Sequence, residues 1–291
     1  MRALALIEFD EEHAVASGHR MADPDIPHLR VTDLAATRGD GVFETAMLVE
    51  GSVHALDAHL ERLAQSAHAL DLATGSSDIW RAAVLAVADA LTRGGVLTGS
   101  LKLVLSRGVE GSRVPTGWVY GSPAPDAARV RADGVRIALL DRGYRHDVSV
   151  TSPWLLTGAK TLSAAVHRAA QREAVRRGAD DAVFVSSDGF LLEGASSSLL
   201  LLRGTHFVTP SVELGILAGT TQADLFAWAE QSGFTTGYEL LTPEDLAAAD
   251  AAWLVSSVRG AVPIRAVDGV ERSIDGVLTA SLDAALRARA T

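Results

Sequence analysis

The sequence predicts an α+β or mixed α/β fold in two domains, and three observations support this. Helical and strand-like patterns follow one another without the strict alternation of a parallel βαβ sheet. The segment 121–128 (GSPAPDAA) has the small, proline-bearing composition of a linker. A chain of 291 residues can form two separate cores. We therefore predict a smaller N-terminal α/β domain over 1–120, an interdomain linker over 121–128, and a larger C-terminal domain over 129–291 that carries Lys160.

The first half contains alternating or apolar strand-like runs and two segments with helical periodicity. In the first of these segments apolar residues recur every three or four positions, which places them on one face of a helix. The second segment stops at a pair of glycines, Gly94 and Gly95. The predicted strands are Leu4–Phe9, Gly41–Val49 and Leu101–Leu105, and the predicted helices are Asp57–Leu72 and Ser77–Arg93.

The second half predicts a strand, then the lysine-containing segment and a helix that ends at Gly178. Two strand pairs follow, the first joined by an Asp-Gly turn. Thr242-Pro243 is a typical helix start, with threonine as the cap and proline at the first position. The other predicted elements are strands Val135–Leu140, Ala182–Val185, Phe190–Glu193, Ser198–Leu202, His206–Val208 and Ala252–Val255, and a helix at Gln222–Gln231.

Composition and charge exclude several classes of protein. The net charge of −10 and the absence of a basic stripe argue against nucleic acid or an anionic membrane as a partner. There is no cysteine, so disulfides, thiolate nucleophiles and cysteine-ligated zinc are excluded. The nine histidines are scattered without His-Glu-x-x-His spacing, which argues against a zinc hydrolase. No secretory signal or apolar run of about 18 residues appears, so we expect a soluble cytoplasmic enzyme.

Lysine is scarce in this chain. Lysine and arginine together number 26, but only Lys102 and Lys160 are lysines. A guanidinium stays protonated and cannot form an imine, whereas a desolvated lysine can lose its proton and act as a nucleophile. A retained lysine therefore suggests amine chemistry, although composition alone leaves chance retention equally open. Lys102 has the position of a residue on the polar face of a strand.

Three segments could together bind an anion. Thr220 and Thr221 open a helix, where free N–H groups and hydroxyls suit a phosphate, although a threonine there can simply cap the helix. Arg62 lies on an otherwise apolar helix stripe, where a paired or snorkelling arginine is the alternative. Ser257 ends a buried-looking strand and could also serve only its turn.

Two charged residues lie at strand ends. Glu193 lies in a strongly apolar stretch, where burial would disfavour its charge unless a cation pairs with it. A protonated pyridine nitrogen would be such a cation, and a solvent-facing edge glutamate is the alternative. Arg107 precedes a glycine-bearing loop and could hold a substrate carboxylate by two hydrogen bonds, or could simply be solvated.

The order of these segments resembles that of the class IV aminotransferases, the fold-type IV pyridoxal-phosphate enzymes. The similarity extends from about Ala36 to Val267, and seven short motifs occur in family order with suitable spacing. They are Gly39-Asp40-Gly41-Val42-Phe43-Glu44-Thr45, His59-x-x-Arg62-Leu63, Ser106-Arg107-Gly108, the Lys160 segment, Glu193-Gly194-Ala195, Leu217-x-Gly219-Thr220-Thr221, and Ser256-Ser257 with Pro263.

The resemblance implies the two-domain fold of D-amino-acid aminotransferase-like enzymes, usually homodimeric, with pyridoxal 5'-phosphate as cofactor. It implies that Lys160 forms the Schiff base with the cofactor and shuttles the proton, and that Glu193 pairs with the pyridine nitrogen. The residues implied to hold the phosphate are Arg62, Thr220, Thr221 and Ser257, and those implied to contact a small amino substrate are Arg107 and Phe43.

Within the family the motifs are most similar to those of 4-amino-4-deoxychorismate lyase. The branched-chain tyrosine five residues after the lysine is replaced by Ala165, and the D-amino-acid enzymes' histidine after Arg107 is replaced by Val109. The reaction implied is conversion of 4-amino-4-deoxychorismate to 4-aminobenzoate and pyruvate in folate biosynthesis. The alternatives are an aminotransferase of D- or branched-chain amino acids, which the glutamate of Phe43-Glu44-Thr45 favours, and an inactive small-molecule-binding homologue.

Overall fold

The computed structural model describes residues 1–289 and divides the chain into two compact units. Unit 1 contains Met1–Pro125 together with the short segment Ala159–Ala164, and unit 2 contains Asp126–Gly158 and Ala165–Arg289. Each unit is built around one mixed or antiparallel sheet with helices packed against it. The predicted mixed α/β class in two parts is confirmed.

Unit 1 contains an antiparallel sheet that, within the described residues, has six strands in the order β2-β1-β6-β5-β3-β4. The strands are β1 Ala3–Phe9, β2 Ala16–Ala22, β3 Gly41–Val49, β4 Ser52–Val53, β5 Thr98–Ser106 and β6 Thr116–Pro123. The helices of this unit are α1 Leu34–Thr37, α2 Leu56–Ala69 and α3 Ser77–Arg93.

The two faces of this sheet differ because side chains alternate along each strand. On β5, Leu101, Leu103 and Leu105 are fully buried on the face covered by α2 and α3, whereas Lys102 points to the other face and is exposed. Helix α3 begins at Ser77, where the Ser76 hydroxyl accepts the Asp78 N–H, and ends at Gly94, as the sequence predicts.

Unit 2 contains a mixed sheet that, among the described residues, has the order β12-β11-β10-β13-β14-β7-β8-β9, with β15 added beside β14. The pairs β14–β7, β7–β8 and β11–β12 are parallel and the others are antiparallel. The strands are β7 Val135–Asp141, β8 Asp181–Val185, β9 Leu191–Gly194, β10 Ser198–Arg203, β11 His206–Pro210, β12 Thr235–Glu239, β13 Ala251–Ser256, β14 Gly260–Val267 and β15 Val270–Glu271.

The sheet of unit 2 curves on itself. Residues from both ends of the strand order share one buried cluster, which includes Val183 and Leu191 from one end and Leu199 and Val208 from the other. Helices cover the outer side, where Trp253 is fully buried and its indole N–H donates to Thr279. The helices are α4 Ala128–Asp133, α5 Val148–Thr151, α6 Ala165–Arg176, α7 Thr220–Gln231, α8 Pro243–Ala248 and α9 Gly276–Ala288, with 3-10 turns at Pro153–Leu155 and Val212–Leu214.

The domain boundaries differ in two ways from those expected. The segment 121–128 is not a free linker, since β6 continues to Pro123 and α4 begins at Ala128. Lys160 clusters with unit 1 rather than with the C-terminal unit, because the segment Ala159–Ala164 is hydrogen-bonded to β3 and α2. Within residues 1–289, no helix combines the length and the apolar character needed to span a membrane.

Candidate active site

The Lys160 segment completes an edge of the sheet of unit 1. Strand β4 pairs with β3 only at Leu48 and Val49, so that edge of β3 is open to another partner near its start. There the Phe43 N–H donates to the Lys160 carbonyl at 3.0 Å, and the Leu162 N–H donates to the Gly41 carbonyl at 2.8 Å. These two bonds fix the backbone on both sides of Thr161.

Helix α2 provides a third anchor for this segment. The Lys160 N–H donates to the hydroxyl of Ser66, which is buried on α2, at 3.1 Å. The half-buried Lys160 side chain then places its Nζ 4.7 Å from the centroid of the Phe43 ring, within the range of a cation–π contact. The structure thus brings together Lys160 and Phe43, two of the predicted site residues.

Lys102 lies beside the same ring, which the sequence did not reveal. Its Nζ is 4.9 Å from the Phe43 centroid, so both lysines of the chain contact one aromatic side chain. The cause is the register, in which Lys102 is opposite Thr45 and therefore diagonal to Phe43 on the same face of the sheet. Lys102 does lie on the polar face of a strand as predicted, but strand alternation alone could not indicate its neighbour.

A shallow depression of about 270 Å³ lies on this face of unit 1. Aromatic and apolar side chains form most of its lining, and Lys102 supplies a positive charge. Leu162, two residues after Lys160, is also part of the lining. The other lining residues are Leu29, Ala35, Ala36, Val104, Trp118 and Tyr120.

Arg62 forms part of a buried ionic cluster with Glu44 and His59. Its Nε donates to Glu44 Oε1 at 2.6 Å and its Nη2 to Glu44 Oε2 at 2.8 Å, while His59 Nδ1 lies 2.8 Å from Oε2. Glu44 is on the helix-facing side of β3, and His59 and Arg62 are three residues apart on α2, so both reach the same carboxylate. The sequence did not predict this cluster, although the His-x-x-Arg spacing contained the signal.

The environment of Glu44 keeps it ionised. Burial by itself raises the pKa of a carboxyl group. Here the hydrogen bonds from Arg62 and His59, together with their positive charges, outweigh that effect and lower the pKa of Glu44 from 4.5 to about 2. The predicted phosphate-binding arginine therefore has a tightly bound carboxylate partner.

Arg107, the predicted carboxylate clamp, is held by its own unit. Its Nε and Nη2 donate to Asp40 at 2.7 and 3.2 Å, and Nη2 also donates to the Leu70 carbonyl at 2.6 Å. The side chain remains partly exposed. This bidentate pair orients the guanidinium and uses two of the donors that the sequence-based hypothesis assigned to a substrate.

In unit 2, Glu193 lies one residue before the end of strand β9, next to a half-buried tyrosine. The Leu217 N–H donates to Glu193 Oε2 at 3.3 Å. Tyr144 is close enough to be affected by the Glu193 carboxylate: burial raises the pKa of its phenol, Arg142 opposes that rise, and the charge of Glu193 adds to it. The phenol consequently stays neutral and can donate a hydrogen bond at physiological pH. Tyr144 is a candidate functional residue that the sequence analysis missed.

Thr220, Thr221 and Ser257 form a cluster of hydroxyls at the start of α7. The helix begins after Gly219 without a side-chain cap, and both threonines are buried in its first turn. Thr221 Oγ1 lies 3.4 Å from Ser257 Oγ. Backbone N–H groups at the positive end of a 12-residue helix, together with hydroxyl donors, suit an anion. Three of the predicted phosphate ligands therefore occur together in unit 2.

The pKa of Glu44 leads to a prediction for acid stability. A pKa lowered from 4.5 to about 2 on folding contributes stability that is complete above about pH 5 and is lost as the pH falls towards 2. The size is on the order of 3 kcal/mol. In urea denaturation between pH 7 and 3, Glu44→Gln should be less stable at pH 7 but should lose less stability on acidification than the wild type.

The matched control for that measurement is Glu61→Gln, which removes an exposed glutamate from the same region of the protein. Its midpoints should follow those of the wild type at every pH. Equal pH slopes for the wild type and Glu44→Gln would contradict the assigned electrostatic role.

The chain is similar to known proteins over most of its length. A sequence model of the family described as amino-transferase class IV matches residues 41–267. A bifunctional aminodeoxychorismate lyase / D-amino acid transaminase from Mycobacterium tuberculosis is 41% identical over 256 residues, covering 84% of this chain and 88% of that protein. An aminodeoxychorismate lyase from Bacillus subtilis is 27% identical, covering 80% and 79% of the two chains.

Solved structures are similar over almost the whole chain. A fold IV-transaminase from Curtobacterium pusillum is 48% identical, with a TM-score of 0.94 and complete coverage of both chains. The pyridoxal-phosphate-bound form of a hypothetical aminotransferase from Mycobacterium tuberculosis is 37% identical, with a TM-score of 0.89 and 99% coverage of both. The predicted fold and cofactor are confirmed, and the chain belongs to the class IV aminotransferase family of pyridoxal-phosphate enzymes.

Proposed function

We propose that this protein converts 4-amino-4-deoxychorismate to 4-aminobenzoate and pyruvate, a step of folate biosynthesis, with Lys160 as the catalytic residue. The observation that carries the proposal is the fixed position of Lys160, whose own N–H and carbonyl are both hydrogen-bonded and whose Nζ lies against Phe43 beside the depression. The 41% identity to a protein that has this lyase activity gives further support.

The residues at the start of α7 fit a phosphate-bearing cofactor. The helix lacks a side-chain cap, and hydroxyls of Thr221 and Ser257 lie beside its free N–H groups. Glycine is needed at position 219 because a Cβ there would lie 2.3 Å from the hydroxyl of Ser198, which packs against the start of the helix. We propose that Thr220, Thr221 and Ser257 hold the phosphate at the start of α7.

The remaining cofactor contacts are proposed from the family and from the chemistry of each residue. Arg62 would donate to the phosphate. Glu193 would accept a hydrogen bond from the pyridine nitrogen, and the Leu217 N–H, which donates to its Oε2, helps to hold the carboxylate in place. Bound pyridoxal phosphate supplies a carbonyl carbon for an amine and a ring that accepts electron density.

The proposed reaction needs one proton carrier, and Lys160 is suited to that role. Lys160 Nζ would remove the proton from the ring carbon that carries the substrate amine, while the bound cofactor would accept electron density from that carbon. The carbon–oxygen bond to the enolpyruvyl group breaks, the ring becomes aromatic, and the released enolpyruvate takes up a proton to give pyruvate. The overall reaction involves no net oxidation or reduction, so it needs no oxidant or reductant.

Phe43, Arg107 and Lys102 are the proposed substrate contacts. Phe43 lies against the Lys160 ammonium, and the partly exposed guanidinium of Arg107 is oriented by Asp40. Lys102 adds a positive charge to the aromatic depression, which suits a ring that bears carboxylates. In a protein of net charge −10, such local positive charge is needed to attract a dianionic substrate.

A second candidate function is transamination of D-amino acids. The observation that favours it is the bifunctional description of the Mycobacterium tuberculosis relative, which combines both activities in one chain. Both reactions use the same lysine, so the two activities can coexist.

The lysine assignment can be tested with the two lysines of the chain. Borohydride should trap the cofactor covalently on Lys160, and Lys160→Ala should abolish this trapping and reduce turnover by at least a thousandfold, since the nucleophile and proton carrier are lost. Peptide mass analysis locates the label. Lys102→Met is the matched control and should retain trapping, while its Michaelis constant for the substrate rises. Label that persists in Lys160→Ala would disprove the assignment.

The reaction can be tested by product analysis. With 4-amino-4-deoxychorismate, the wild-type protein should release 4-aminobenzoate and pyruvate in equal amounts, and Lys160→Ala should release neither. D-alanine and branched-chain amino acids with 2-oxoglutarate form the parallel assay for transamination. Rapid transamination without any aminobenzoate would refute the lyase proposal and leave the second candidate.

We also propose that the protein is a homodimer, as is usual in the family. In unit 2, Val150 and Trp154 are 82% and 72% exposed, a large apolar surface that a second copy of the chain would cover. Sedimentation equilibrium should give a dimer for the wild type and weaker association for Trp154→Ser. Val277→Ser, at an equally exposed valine on α9, is the control and should remain dimeric. A monomeric wild type would contradict the proposal.

A further inference from the structure

The cluster of Glu44, His59 and Arg62 is buried more deeply than a surface ion pair. The side chains of Glu44 and His59 are 0% and 1% exposed, and that of Arg62 is 9% exposed. Burying charged groups in this way costs free energy, and a hydrophobic replacement of similar size is often as stable. Although the ionised Glu44 contributes to stability once its partners are present, folding alone does not require three ionisable residues at this position.

The geometry fixes the plane of the guanidinium. Two parallel hydrogen bonds, from Nε to Oε1 and from Nη2 to Oε2, leave the Arg62 side chain one orientation relative to Glu44. Because the guanidinium is planar and rigid, these two bonds fix the directions of all its N–H groups.

The carboxylate is itself held from other sides. His59 Nδ1 lies 2.8 Å from Oε2, and the Thr45 N–H donates to the same oxygen at 3.3 Å. Glu44 lies between these partners on β3, which is paired along its length with β5. Because β3 is held in the sheet, the Glu44 carboxylate has a fixed position. Its hydrogen bonds with Arg62 fix the guanidinium in turn.

A carboxylate beside an arginine also cancels its charge. If the role of Arg62 were only to attract an anion, Glu44 would oppose it, because the pair together has no net charge. The carboxylate instead preorganises the arginine. N–H groups that already have the orientation needed for binding lose little conformational entropy when an anion binds.

We propose that Glu44, supported by His59, is a positioning residue that orients Arg62 towards the phosphate of the cofactor. This inference depends on the proposed role of Arg62 as a phosphate ligand. It assigns a role to His59 and Glu44, two ionisable residues of these motifs that the proposed chemistry does not use.

The experiment measures cofactor affinity rather than turnover. Apoprotein is titrated with pyridoxal phosphate and, separately, with pyridoxal, which lacks the phosphate. Glu44→Gln and Glu44→Asp should each weaken pyridoxal phosphate binding by roughly tenfold, the effect of misplacing a charge-assisted hydrogen bond, and leave pyridoxal binding within about twofold. Glu44→Asp keeps the negative charge but moves the carboxylate away from Arg62 by one methylene group. It therefore distinguishes the effect of the carboxylate's position from the effect of its charge.

His59 is tested by a conservative pair of variants. His59→Leu removes the contact to Glu44 and should weaken pyridoxal phosphate binding, whereas His59→Asn places an amide donor near the position of Nδ1 and should restore most of it. Thermal unfolding of each apoprotein shows whether the variant is folded. A variant that lowers thermal stability but leaves the ratio of the two affinities unchanged indicates a merely structural role and overturns the inference.

Arg62→Met separates this inference from the proposed function. If this variant loses affinity for pyridoxal phosphate but not for pyridoxal, Arg62 is a phosphate ligand. Unchanged binding in Glu44→Asp would then refute only the positioning role. If Arg62→Met leaves the ratio unchanged, the proposed phosphate contact itself is wrong. In the Arg62→Met background, Glu44→Gln should have no further effect on that ratio.

Discussion

The open edge of β3 is the feature on which the site in unit 1 depends. Because β4 is only two residues long, the first half of β3 has unused backbone donors and acceptors on one side. The segment around Lys160 supplies partners for them, with Thr161 opposite Val42. Strand β3 thereby has Lys160 at its edge, Phe43 on its open face and Glu44 on its helix-facing side. The relative positions of the lysine, the aromatic ring and the buried carboxylate are therefore set by one strand.

Most of the regular elements could be predicted from the sequence, because they depend on local patterns. The helix Ser77–Arg93 and the strand Gly41–Val49 have the predicted bounds, and Thr242 caps α8 with the predicted proline at the first position. The sequence did not predict β2 (Ala16–Ala22), which is polar and mostly exposed, or the membership of Lys160 in unit 1. Strand β2 pairs with the neighbouring β1 although it lacks an apolar alternation, and the position of the Lys160 segment depends on pairing with the distant strand β3, which a local pattern does not contain.

The sequence was sufficient to predict which residues belong to the candidate site, but not which side chains contact one another there. Each of the motif residues could be identified because the family retains their order, yet the partners of Arg62 and Arg107 could not. Glu44 and Asp40 bind those guanidiniums through contacts that join β3 to α2 and the start of β3 to the end of β5. Likewise, the register of β3 and β5, rather than the sequence of either, brings Lys102 to the ring of Phe43.

The segment that contains Lys160 is attached to strand β3 through peptide groups rather than side chains, and this affects how the segment can evolve. Every non-proline residue offers the same N–H and carbonyl, so the side chains of Thr161 and Leu162 can be exchanged without moving the lysine, whereas the Ser163 hydroxyl donates to the Gly39 carbonyl at 3.1 Å. Leu162 lines the depression, so its identity alters the shape offered to a ligand while the chemistry stays in place. A segment built in this way lets substrate preference drift through single substitutions, which suits a family whose relatives act as both lyases and transaminases.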